Sequence, residues 1–149
     1  MIPVNLNDES LLNYGDGTPM LPWGDGKYRA RLVLFRAHDG YKGFAYRATV
    51  EILESNRDDV AVGYKYVKHF GVTQPGEKGN AAKKELRAFL AACFGADPRD
   101  KTFDANARGA ELCALGESLK EADIILDIEG RNRETEKGKF TNYSYSLAK

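Results

Sequence analysis

The chain has little of several things, and each shortage removes a class of function. It holds two cysteines in 149 residues, Cys93 and Cys113, with no CxxC pair. A disulfide framework and a paired-cysteine zinc site therefore have no support, and two thiols among apolar, helix-like neighbours read as core fillers. The two histidines, His38 and His69, are isolated from each other and from the cysteines. They read as turn or surface residues rather than ligands, and no Ser-His-Asp or Cys-His arrangement is suggested. No metal and no other cofactor is expected. No apolar run approaches the roughly 20 residues that span a bilayer. The opening MIPVNLNDES carries neither the basic nor the apolar stretch of a secretory signal. The expectation is a cytoplasmic protein without membrane association. An excess of one charge is also missing: 22 Lys and Arg balance 22 Asp and Glu, which argues against a general DNA-packing role.

The charges that are present are spread unevenly. Residues 1–26 hold four acids and no Lys or Arg, and residues 27–70 carry a balance of +4. Residues 71–130 carry −3, and residues 131–149 carry +3. The two basic segments also hold eleven of the sixteen aromatic residues, and both read as β-strands. Cations and flat rings alternating along strands suit a sheet that grips a flexible polyanion with stackable bases. The neutral total does not oppose this, because salt screens charge beyond about 8–10 Å and a ligand responds to its local field.

The length suits one domain. Residues 1–24 contain Pro3, Pro19, Pro22, Gly15, Gly17 and Gly24 and read as an irregular arm, which Trp23 is expected to pin. Residues 25–149 form the domain. Stretches 27–37, 44–54 and 60–70 alternate as three strands of an antiparallel meander, with Gly63 as a bulge or tight bend. Tyr28, Ala30, Leu32 and Leu34 share one face of the first strand; Arg29, Arg31, Val33 and Phe35 share the other. On the second strand Phe44, Tyr46, Ala48, Val50 and Ile52 are the inward set. After a loop at 71–79, Asn80 is expected to cap a helix to about Phe94. Leu86, Phe89, Leu90 and Cys93 make its stripe, and Gly95 follows it. A second helix is expected from Asp104 to about Leu115, with Leu112 and Leu115 inward. Strands at 123–129 (Ile124, Leu126 and Ile128 inward) and 140–147 (Tyr143, Tyr145 and Leu147 together) flank a charged turn at 130–139.

Five strands with helices between the third and fourth make a mainly-β, α+β chain in the order of an OB-fold. That is a partly open five-stranded barrel whose second and third strands bind oligonucleotides. The run Leu21-Pro-Trp-Gly-Asp-Gly-Lys-Tyr-Arg-Ala-Arg-Leu32 leads a proline and a glycine turn into a strand of the form G-x-Y-x-x-x-L. It resembles the entry to phage-type single-stranded DNA-binding proteins with an OB-fold. Ala48-Thr-Val-Glu-Ile-Leu-Glu54, the Lys/Ala/Leu-rich helix at 81–94 and Asp123-Ile-Ile-Leu-Asp-Ile-Glu-Gly130 extend the likeness over residues 20–148. The resemblance implies non-catalytic, largely sequence-independent binding of single-stranded DNA in phage replication or recombination, in the host cytoplasm. Replication or recombination proteins are the protein partners it implies, and a homo-oligomer is compatible with it. The chain ends Ser-Leu-Ala-Lys149, without the acidic tail that recruits repair enzymes in bacterial single-stranded DNA-binding proteins. Recruitment through such a tail is not expected.

Three groups of residues are candidates for DNA contact. Arg29, Arg31 and Phe35 share an outward face, and Arg47 is expected to approach them across a ladder spacing of about 4.8 Å. The result would be a phosphate track with one stacking ring; the plain alternative is cross-strand ion pairing, such as Arg31 or Arg47 with Glu51. Lys65, Tyr66 and Lys68 lie in a run that alternates cations with rings. A one-residue slip exchanges its faces, so alternation leaves the outward set open. Arg131, Arg133, Lys137 and Lys139 occupy the charged turn, as basic fingers over a bound strand or as a solubilising turn. Tyr143 and Tyr145 read as core.

Enzyme readings are weaker. The run Gly71 to Lys78 lies between a strand and a helix like a phosphate-binding loop. Glu77 separates its glycine from its lysine, no Ser or Thr follows, and Pro75 lacks an amide donor. Asp123, Asp127 and Glu129, with Glu51 and Glu54, offer carboxylates for a metal-dependent nuclease but read better as a solvated strand face. The remaining alternative is a protein-interaction or virion module on a small barrel, suggested by the neutral charge and the tyrosines.

Overall fold

Alternating side chains give the chain a sheet with one apolar and one charged face. In the computed structural model, which describes residues 18–40, 43–73, 76–136 and 138–148, this sheet has five antiparallel strands. They are β1 (Gly26–Gly40), β2 (Gly43–Ser55), β3 (Lys65–Phe70), β4 (Ile125–Thr135) and β5 (Gly138–Leu147), in the order β3-β2-β1-β4-β5. Helices α1 (Glu77–Cys93) and α2 (Ala105–Leu115) and a 3-10 segment, Gly116–Ala122, lie between β3 and β4. The expected small β-rich α+β chain is therefore present. No helix is long and apolar enough to cross a membrane among the described residues.

The apolar face buries Ala30 and Leu32 of β1, Ala48, Val50 and Ile52 of β2, and Leu126 and Ile128 of β4. Helix α1 lays Leu86, Phe89, Leu90 and Cys93 onto this layer, the stripe its spacing predicts. Burial there pushes the Cys93 thiol up to about 12. The helix begins at Glu77 rather than Asn80, with an acid in its first turn where the helix dipole favours one. It ends as expected: Gly95 N–H donates to Ala92 O and Ala96 N–H to Ala91 O. Asp104 caps α2 by accepting from Ala107 N–H at 3.1 Å. Leu112 is buried, whereas Leu115, at the last turn, is exposed. The side chain of Phe44 lies outside the described residues.

Two register shifts shape the β1–β2 ribbon. Arg29 opposes Glu54 while Ala30 opposes Ile52, and Leu32 opposes Val50 while Leu34 opposes Thr49. Leu53 and Val33 are passed over. Beyond Val33 the alternation of β1 is reset, so Phe35 turns inward and is fully buried. Strand β3 is shorter than its sequence pattern. Gly63, at φ 89°, bends the chain, and regular pairing starts only at Lys65.

Among the described residues no ladder joins the outer strands β3 and β5. Residues 19–24 cross that gap instead. Met20 forms a parallel bridge with Val67, and Leu21 N–H donates to Val67 O at 2.9 Å. Further on, the Tyr143 hydroxyl donates to Pro22 O and Gly24 N–H donates to Thr141 Oγ1, both at 2.8 Å. Leu21 pins this segment, at 3% exposure, and Trp23 does not, at 71%. The crossing needs Gly130, because a methyl group there would stand 2.8 Å from the carbonyl oxygen of Gly24.

Candidate nucleic-acid interface

The face of the sheet away from the core carries most of the charge. Register places Arg29 opposite Asp127 on one side and Glu54 on the other. Its guanidinium lies 2.9 Å from Asp127 Oδ1 and 3.4 Å from Glu54 Oε2. Arg31 is 3.2 Å from Glu51 Oε1 and 3.0 Å from Asp123 Oδ1. Each arginine thus stands between two carboxylates, the cross-strand pairing that the sequence offered as the plain alternative. Partly exposed pairs of this kind add little stability, because water screens them and ordering two long side chains costs entropy. Their main effect is on the field, since four acids outnumber the two cations locally. Arg29 lines a shallow cleft of about 690 Å³ and Arg31 one of about 520 Å³, the latter shared with Lys65.

Arg47 does not join them. It stands opposite Arg36 on β1 and His69 on β3, four residues along β2 from Glu51. At about 3.3 Å per residue that is roughly 13 Å. The three side chains form a row across three adjacent strands. Arg47 Nη2 also lies 3.1 Å from His38 Nδ1. Burial, together with the nearby Lys68, Arg47 and His38, holds the His69 imidazole below its ordinary value. Strict alternation assigns Arg36 to the core side with Leu32 and Leu34, and the Val33 bulge moves it outward. An arginine at an apolar position was the one sequence signal of that bulge.

Strand β3 resolves the face that alternation left open. Val50 opposes Tyr66 and Ala48 opposes Lys68, so both β3 residues point to the core side. Tyr66 is buried, and its hydroxyl accepts from Ala61 N–H at 3.3 Å. Lys68 Nζ lies 2.9 Å from Glu85 Oε2 on α1, and 5.0 and 4.8 Å from the ring centroids of Phe70 and Tyr143. Glu85 also accepts from the Tyr145 hydroxyl at 2.5 Å. Burial pushes Tyr143 up to about 12 and Tyr145 well above its usual value. Phe35 stacks on Tyr46 and Phe89, with centroids 5.4 and 6.1 Å away. Phe35, Tyr66 and Lys68 therefore do not share the outward face with Arg29 and Arg31. Only Lys65 of the β3 candidates faces outward, opposite Glu51.

The stretch 130–139 is not a loose turn. Strands β4 and β5 continue through it and close at Thr135 and Gly138. Arg131 and Arg133 lie on the outward face, with Arg131 2.6 Å from Glu129 and Phe140 directly opposite Arg133. Lys139 opposes Glu134 on the other face, and Lys137 lies outside the described residues. The acids weighed as metal ligands (Asp123, Asp127, Glu129, Glu51 and Glu54) each contact an arginine. No three His, Cys, Asp or Glu side chains converge among the described residues. No family model matches the chain, and neither a curated protein nor a solved structure is significantly similar to it.

Proposed function

We propose that the chain is a non-catalytic protein that binds single-stranded DNA with little regard to sequence. Its setting is phage DNA replication or recombination in the host cytoplasm, and its scaffold is an OB-fold. The observation that carries this reading is the row Arg36, Arg47 and His69 on three neighbouring strands. Guanidinium groups side by side on neighbouring strands, with an imidazole next to them, suit a phosphate backbone laid across the sheet. The strand order and the place of the helices support the fold, and residues 19–24 span the seam where such a barrel closes. Arg133 and Phe140, directly opposite each other, supply a second cation–ring group on the β4–β5 hairpin.

Fluorescence anisotropy with labelled oligo-dT tests the reading. Arg36→Ala with Arg47→Ala is expected to weaken binding about tenfold or more, as loss of a charge-assisted contact does. Arg29→Ala with Arg31→Ala is expected to change it much less, since each of those cations stands between two carboxylates. Affinity that ignores salt, or that is equal for duplex, would count against the reading. One observation favours a protein-interaction module instead: in the middle of the outward face four carboxylates surround two arginines, which does not favour a polyanion. Specific capture of a protein partner by a chain with no nucleic-acid affinity would select that alternative.

A further inference from the structure

Trp23 is the only tryptophan in the chain, and 71% of it is exposed. Tryptophan is on average a well-buried residue, so an indole in water at one fixed place asks for a reason. A floppy terminus is not that reason, because the backbone on both sides of the ring is held. The Tyr143 hydroxyl donates to Pro22 O at 2.8 Å, and Arg57 Nη1 donates to Trp23 O at 2.8 Å. Gly24 N–H donates to Thr141 Oγ1 at 2.8 Å, and Asn132 N–H donates to Asp25 Oδ1 at 2.7 Å. Four consecutive residues thus have one bond each, to partners on β4, on β5 and in the β2–β3 connection. Gly24, at φ 115°, makes the turn that a residue with a side chain would strain. Arg57 is itself fixed by two bonds to Asp59.

We infer that Trp23 is a nucleobase-stacking site, outside the sheet face, that takes one unpaired base of the bound strand. This rests on the single-stranded DNA reading and extends it by assigning a contact beyond the strands. The held backbone means that little conformational freedom is lost when a base lands on the ring. The backbone just after the ring meets the β4–β5 hairpin at Thr141 and Asn132, on the strand pair that carries Arg133 for the adjoining phosphates. Stacking is tolerant of sequence because every base presents a π-face.

The lone indole makes the test direct, since fluorescence excited beyond the absorption band of the eight tyrosines reports Trp23 and nothing else. Oligo-dT is titrated into the full chain while emission is read, with anisotropy of a labelled oligomer measured in parallel. An abasic oligomer of equal length serves as the second ligand. The inference expects emission to change with oligo-dT and to stay nearly constant with the abasic strand. Trp23→Ala is expected to lose about 5- to 150-fold in affinity, the range of one stacked base, and Trp23→Phe to recover most of it. An unchanged melting temperature for Trp23→Ala separates this loss from misfolding. Anisotropy that shows binding with flat emission, or with Trp23→Ala equal to the parent, overturns the stacking site and leaves the DNA reading standing. Absence of any binding by the parent chain overturns both.

Discussion

At Phe35, Arg36 and Lys68 the direction of one side chain decides between two roles. Phe35 is fully buried against Tyr46 and Phe89, so Phe35→Ala is expected to cost about 3–5 kcal/mol of stability. The affinity of whatever stays folded should hardly move. Chemical denaturation checks the first half, and a titration below the new midpoint checks the second. A stability change under about 0.5 kcal/mol, the usual result at a plain surface site, would mean that the ring faces solvent. Lys68 has a similar history. Its ammonium looks like a phosphate contact in sequence, yet it neutralises Glu85 under the sheet and sits between two rings. A charge in that place satisfies a neighbour and is not offered to a ligand.

Elements matter most at the seam between β3 and β5. The short segment 19–24 does there what a ladder would otherwise do, and it depends on close passage over Gly130. A methyl group at 2.8 Å from a backbone oxygen cannot be accommodated by rotating a side chain. Gly130→Ala is therefore expected to displace the segment and destabilise the fold by about 1–3 kcal/mol, as overpacking does. Amide exchange of Leu21 and Val67, which bond across the bridge, should speed up more than that of the β1–β2 ladder. Uniform acceleration over all strands would show that the segment is not a separate unit.

For the molecule as a whole, the zero net charge hides a polar outer layer and a core with proton-holding groups. Cys93 keeps its proton in the folded state to about 12, against 9.0 without burial. Above pH 9 the unfolded chain loses that proton first and binds fewer protons than the folded one. Stability therefore falls as pH rises from 9 towards 12, by at most about 1.4 kcal/mol per pH unit from this group. Tyr143 adds to the fall from 10 to about 12, and Tyr145 acts in the same direction. Below pH 9 these groups contribute no slope. Thermal melts followed by circular dichroism should show the melting temperature dropping from about pH 9 upward, and Cys93→Ala should flatten the stretch between 9 and 10. An unchanged stretch in that variant would place the thiol in contact with water.

Sequence by itself determined the element order, the α1 stripe Leu86, Phe89, Leu90 and Cys93, the Asp104 cap and the apolar layer of the sheet. Those features are written in local periodicity, which one chain segment carries alone. The candidate site was legible only in composition: basic, aromatic strands were visible, but not which side chains meet. Two passed-over residues, Val33 and Leu53, reset the pairing of the β1–β2 ribbon, and no local pattern encodes a slip between two strands. Tertiary structure alone therefore turned Phe35 inward, brought Arg36 beside Arg47 and His69, and set four carboxylates around Arg29 and Arg31. The physical reason is that a strand's alternation is local, whereas which face it presents is decided by the partner it pairs with.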